Sequence, residues 1–311
     1  MIDIAPREVE KTGDDTPASS IAVYVWRMSG WRQVGLCVGA IGVSLLNLAP
    51  IELQRRLIDD AITKKDMALL LTLGGVYAAV LVGHRFARFG LGVAQGWLGE
   101  SAVRYTRSHL LGLWRARDAN ERSKPGAAVS VLGAEIDKLG GYVGVAPSQA
   151  SADAAMVIGV IGYMMYVAPM VAGLSIALLL PQLLVAPLMQ RRLNDLIEAR
   201  LGMMRAFGEA VTKEGAGRDA ALIAVIYRNR IRFYVVKHLM KAILNLLNGL
   251  APLSVLLFGG WMVVQGETTI GVLVAFLSGF QRLADPIRSL ITFYRETAQA
   301  RVQHDMIARW M

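Results

Sequence analysis

The sequence predicts an all-α integral membrane protein: six transmembrane helices with two long cytoplasmic helical hairpin extensions. Three observations carry this expectation. Only 18% of the 311 residues are charged and 54% are hydrophobic, whereas soluble domains carry about 25% charged residues. The deficit is concentrated, because residues 34–51 and 68–83 have no charge, 154–190 run uncharged for 37 residues and 242–266 for 25. Lysine and arginine are also lopsided, with 29 of 33 falling on one side of the topology that these runs define.

The chain divides at the sequence level into three parts. Residues 1–20 are polar and rich in Asp, Thr and Pro, and read as a disordered cytoplasmic tail. Residues 21–33 are amphipathic and carry Trp26 and Trp31, the composition of an interfacial helix lying along the membrane. Residues 34–311 form the transmembrane domain. A span needs roughly 20 apolar residues, which gives spans near 34–54, 68–90, 143–167, 171–190, 242–264 and 270–292. The long run at 154–190 exceeds one span, and Ala168 and Pro169 supply the turn that splits it. The remaining connections alternate. Residues 55–67, 168–170 and 265–269 are short, whereas about 85–142 and 191–241 are long, polar and patterned at helical spacing.

Orientation follows from the basic residues. Arg55, Arg56, Lys64 and Lys65 alone lie on the outer side, so the long connections and both termini are expected in the cytoplasm. The net charge of +9 is thereby explained by the membrane, and its scattered residues form no nucleic-acid-binding patch. The single cysteine, Cys37, excludes an intrachain disulfide and a cysteine-based metal cluster. The four histidines show no ligand spacing, and no G-x-x-x-x-G-K-[ST] loop is present to cradle phosphates. No catalytic residue, cofactor site or metal site is therefore expected in this chain. Gly39, Gly42, Gly159 and Gly162 are candidates for close helix packing.

The ionisable residues inside the spans are the candidate site. His84, Arg85 and Arg88 lie late in the second span and cover little more than one turn, so they are expected to form one cationic stripe. Two readings stay open: snorkelling to the cytoplasmic interface, or lining an inward-facing cavity. Asp153, about ten residues into the third span, is expected either to pair with a basic side chain or to line the same cavity.

Two stretches resemble a known family. The run Gly271-Val-Leu-Val-Ala-Phe-Leu, then Pro286-Ile-Arg-Ser-Leu and Ala300 to Ile307, is similar to the last span of ABC exporter membrane domains and its cytoplasmic extension. The segment Gly126-Ala-Ala-Val-Ser130-Val-Leu-Gly-Ala-Glu135 resembles the G-x-x-x-S-R-x-x-x-D segment at that family's first loop tip, with Val131 in place of arginine and Glu135 in place of aspartate. In the second loop, residues 212–219 depart from the family's apolar stretch. The resemblance implies a transmembrane subunit of an ATP-driven exporter in the inner or plasma membrane, which forms the translocation pathway. It implies pairing with a second membrane domain, as a homo- or heterodimer. An ATPase domain or subunit outside this chain, carrying ATP and Mg, would seat against the first loop tip at Gly126, Ala127, Ala128, Ser130, Val131 and Glu135. The transported substrate is not implied. Two other classes stay open: an ion-gradient-driven secondary transporter, to which Asp153 and Pro181 point, and a non-transporting scaffold or regulator that keeps the fold.

Overall fold

The computed structural model describes residues 17–116, 133, 135–212 and 218–310. Among the described residues it consists of helices joined by short turns, with no strand. In chain order these are α1 (Ile21–Ser29), α2 (Trp31–Leu46), α3 (Ala49–Arg56), a π-helical turn (Leu57–Ile62), α4 (Met67–Ala116), α5 (Ile136–Val167), α6 (Pro169–Thr212), α7 (Arg218–Val264) and α8 (Ile270–Trp310). Among the described residues five segments are long and apolar enough to cross a membrane: Trp31–Ile62, Met67–Ala116, Ile136–Val167, Ala221–Val264 and Ile270–Ala308. The expected fourth span, 171–190, lies within α6, which is not among these five.

The helices far outrun a bilayer. α4 has 50 residues; at 1.5 Å per residue it is roughly 75 Å long, against an apolar core of about 30 Å. The polar stretch after residue 90 thus continues the membrane helix instead of leaving it as a loop. α6 and α7, with 44 and 47 residues, likewise extend well past any apolar run and pack against each other. The first loop-tip residues Gly126, Ala127, Ala128, Ser130 and Val131 lie outside the described residues, as do 1–16 of the expected tail; Glu135 is described, half-buried, one residue before α5.

Local chemistry sets the helix ends. The Ser20 hydroxyl accepts from Val23 N–H at 3.3 Å and caps α1. Gly30 takes φ 51°, a left-handed value that lets the chain turn sharply between α1 and α2. The Asp66 carboxylate accepts from Leu69 N–H at 3.0 Å at the start of α4, and the Thr269 hydroxyl from Val272 N–H at 3.3 Å at the start of α8. Ala168 interrupts the helix before Pro169, where the long apolar run was expected to split.

The chain forms two compact units, one of Met1–Tyr163 with Ser278–Met311, the other of Met164–Leu277. In the first, α1 turns Ile21, Tyr24 and Met28 inward, onto a core with Ala102, Val103 and Leu110 of α4, Leu139 and Val143 of α5, and Ala300 and Ile307 of α8. Trp26 and Trp31 stay exposed, edge to face at 5.8 Å. The Tyr24 hydroxyl shares a hydrogen bond with the Thr106 hydroxyl at 2.7 Å, and its ring lies 5.6 Å from that of His304. Burial pushes the Tyr24 phenol up to about 12, against the opposing pull of Thr106, so it stays neutral.

α4 and α5 meet along a glycine seam. A Cβ on Gly144 would fall 2.5 Å from the Gln95 carbonyl oxygen and 2.9 Å from the Gly99 backbone, and one on Gly140 would fall 2.9 Å from the Gly99 carbonyl oxygen. Beside the seam Gln95 Nε2 donates to the Ser148 hydroxyl at 2.8 Å. The glycines singled out from sequence behave differently. Gly42 and Gly162 face open space and Gly39 makes one ordinary contact, while Gly159 is tight against the Leu48 side chain.

In the second unit, α6 and α7 enclose a cleft of about 320 Å³ lined by Leu196, Ile197, Leu201, Met204 and Phe233 with Arg200, Asn229 and Arg230. The Arg230 guanidinium lies over the rings of Phe233 and Tyr234, at 5.1 and 4.7 Å.

Candidate functional site

The site begins with a break in the first long apolar segment. A helix running through residue 50 would need a backbone N–H that Pro50 lacks, and the proline ring would crowd the carbonyl of Leu46. The chain therefore ends α2 at Leu46, passes through Asn47 and Leu48, and restarts as α3 with Pro50 in its first turn. The break leaves the Asn47 carbonyl free, and Arg282 of α8 takes it. Arg282 Nη1 donates to Asn47 O at 2.9 Å and to Asn47 Oδ1 at 2.6 Å. Arg282 stands 12 residues after Ile270, roughly 18 Å along its helix and near the middle of a bilayer. A cation there costs about 2.5–3.5 kcal/mol on insertion scales. Among the described residues no carboxylate pairs with it.

A second polar group clamps the outer end of the same unit. Glu52 of α3 accepts from Arg55 Nε and Nη2 at 2.8 and 2.7 Å, from Arg56 Nε at 2.6 Å, and from the Tyr163 hydroxyl of α5 at 2.9 Å. Gln54 Nε2 donates to the Tyr77 hydroxyl at 3.1 Å, joining α3 to α4, and the Ser44 hydroxyl donates to Ala152 O at 2.7 Å, joining α2 to α5. Hydrogen bonds of this kind lock membrane helices where apolar packing alone has no solvent to drive it.

The candidate stripe on α4 splits. His84 is 8% exposed and turns into the unit, while Arg85 and Arg88 are exposed. The reason is the 100° step per residue: one buried face admits His84, and its neighbour Arg85 is carried round the helix. Arg85, Arg88 and Arg282 all lie within electrostatic reach of His84. Asp153 is 7% exposed and accepts from Gln149 Nε2 at 2.9 Å, while its Oδ2 has no hydrogen-bond partner and the residue forms no ion pair among the described residues. The partner of Asp153 among the described residues is Gln149 of its own helix.

Arg282, Asn47, Glu52 and Tyr163 were not singled out by sequence reasoning. Signals existed for the first two: a lone arginine late in an apolar segment, and an Asn three residues before a proline inside another. Arg282 falls within the expected span 270–292 although it counts among the basic residues of the cytoplasmic side, and its contact with Asn47 gives it a role inside the span. The asymmetry that sets the orientation does not depend on this one residue.

No family model matches the chain. A stretch of 66 residues is 33% identical to the putative multidrug export ATP-binding/permease protein YgaD of Bacillus subtilis (strain 168). That stretch is 21% of this chain and covers 11% of the relative's length. The long apolar helices fit an integral membrane protein, and this local similarity suggests a membrane component of a transporter.

Proposed function

We propose that this chain is the transmembrane subunit of an ATP-driven ABC-type exporter, with six spans, long helical extensions and both termini in the cytoplasm. It forms the translocation pathway with a second membrane domain. ATP and Mg bind to an ATPase domain or subunit that this chain does not include. The observation that carries this reading is the local similarity to a multidrug export ATP-binding/permease protein, in a chain whose apolar helices run on into long extensions. The stretch 171–190, uncharged throughout, supplies the fourth of the six spans.

Two measurements test it. Purified alone, the chain is expected not to hydrolyse ATP, since it has no phosphate-binding loop. Turnover that rises with chain concentration and survives contaminant controls would overturn the assignment. In a Cys37→Ala background, Lys65→Cys and Glu267→Cys are expected to react with an impermeant thiol reagent added outside. Lys124→Cys and Arg218→Cys should react only after the membrane is opened. Labelling of position 124 from outside would reverse the topology and remove the exporter reading with it.

One observation favours a second reading, an ion-gradient-driven transporter. Such proteins place ionisable groups at helix breaks within the membrane, and Arg282 stands at the α2–α3 break. Uptake into proteoliposomes driven by an ion gradient, with no nucleotide present, separates the two.

A further inference from the structure

The guanidinium of Arg282 is only partly used. Nη1 is fixed by the two oxygens of Asn47. Nε and Nη2 have no partner among the described residues, and together they form the edge that grips a carboxylate or phosphate through two parallel hydrogen bonds. His84 of α4 faces the same unit, buried, within electrostatic reach of Arg282, Arg85 and Arg88. Among the described residues no carboxylate forms an ion pair with any of these four. A cationic group at this depth faces the bundle interior or a water-filled cavity and takes backbone carbonyls or other polar groups as partners; Asn47 satisfies one nitrogen of Arg282 and leaves the opposite edge open. The break itself has a use here, since it spends one side of the guanidinium on orientation and leaves the other presented.

We propose that Arg282, oriented by Asn47 with His84 nearby, binds the anionic head group of an amphipathic molecule, a carboxylate or phosphate carried on an apolar tail. The tail belongs in the apolar layer of the bilayer, since Arg282 lies near its middle. The inference rests on the transporter reading for its purpose, since it assigns the substrate class. Its test requires neither nucleotide nor an ATPase, so a failure removes the site and leaves the exporter assignment to its own experiments.

The experiment is ligand binding to the full chain in phosphatidylcholine nanodiscs, comparing oleate with oleyl alcohol, which has the same tail and no charge. Wild type is expected to prefer oleate by about tenfold, the worth of a charge-assisted hydrogen-bonded contact. Arg282→Gln should bring the ratio to about one. Arg282→Lys should retain a reduced preference, because it keeps the charge and loses the fork. Arg88→Gln, at an exposed position within electrostatic reach of His84, should lower the ratio by no more than about threefold, as a more distant charge would. Replacing part of the phosphatidylcholine with phosphatidylglycerol identifies the source. Competition with oleate marks a lipid head group as an occupant, whereas undiminished oleate binding marks a separate amphipathic anion. Equal binding of oleate and oleyl alcohol by wild type, or an oleate preference that survives both Arg282→Gln and Arg88→Gln, overturns the proposal.

Discussion

Gly144→Val is expected to destabilise the protein by about 3 kcal/mol or more, at the upper end of what overpacking costs. Even the first added carbon would stand 2.5 Å from the Gln95 carbonyl oxygen and 2.9 Å from the Gly99 backbone. Neither obstacle is the end of a flexible side chain, so no change of rotamer relieves the contact. The helices α4 and α5 have to separate. That parts the Gln95–Ser148 hydrogen bond and opens the packing of Val103 against Val143. Thermal unfolding in detergent reads the effect, with Gly42→Val and Gly162→Val as controls, since nothing lies within 4 Å of a Cβ at either position. If Gly144→Val melts with wild type while remaining inserted, α4 and α5 do not meet in this register.

Glu52→Ala is expected to cost about 2 kcal/mol, the range for hydrogen bonds to a charged group. It removes the acceptor for Arg55, Arg56 and Tyr163 together. Arg55 keeps the more distant Asp59, at 3.9 Å. Tyr163→Phe removes just the strand of the network that crosses from α3 to α5 and should cost about 1 kcal/mol. The double variant distinguishes a network from a list of contacts. Because both changes break the same bond, their costs should fall short of additivity. Strict additivity in chemical denaturation would mean that Glu52 and Tyr163 do not interact in the folded protein.

The helices were legible in the sequence because uncharged runs of 16 to 37 residues are hard to mistake. The split at Ala168 and Pro169 was legible for the same local reason, that proline biases the preceding residue away from the helix. The break at Asn47 rests on the same physics, yet the run 34–51 looked like a single span. Hydropathy averages over a proline, whereas backbone hydrogen bonding does not. The glycine seam was harder to foresee. Gly39, Gly42, Gly159 and Gly162 are spaced as well as Gly140 and Gly144, and which glycine meets a neighbour's backbone depends on the facing helix. Arg282 was missed as part of the site because lysine and arginine counts read position along the chain, and its partner Asn47 is 235 residues away. The positions of His84 and Asp153 within their spans were visible; their orientation around the helix was not.

The short helix α1 has a mechanical consequence. Thr106 lies 39 residues beyond the start of α4, and His304 lies 34 beyond the start of α8. Both are far past the thickness of a bilayer, and Tyr24 touches both. Two unsupported rods of this length would be free to splay, twist or slide past each other at their distant ends. With Ile21, Tyr24 and Met28 wedged between them, they are cross-braced like the legs of a trestle. A push at the remote end is then carried toward the membrane as a tilt of the whole frame, not dissipated in bending one leg. Gly30, with its left-handed backbone, is the joint at which the brace folds back onto the frame.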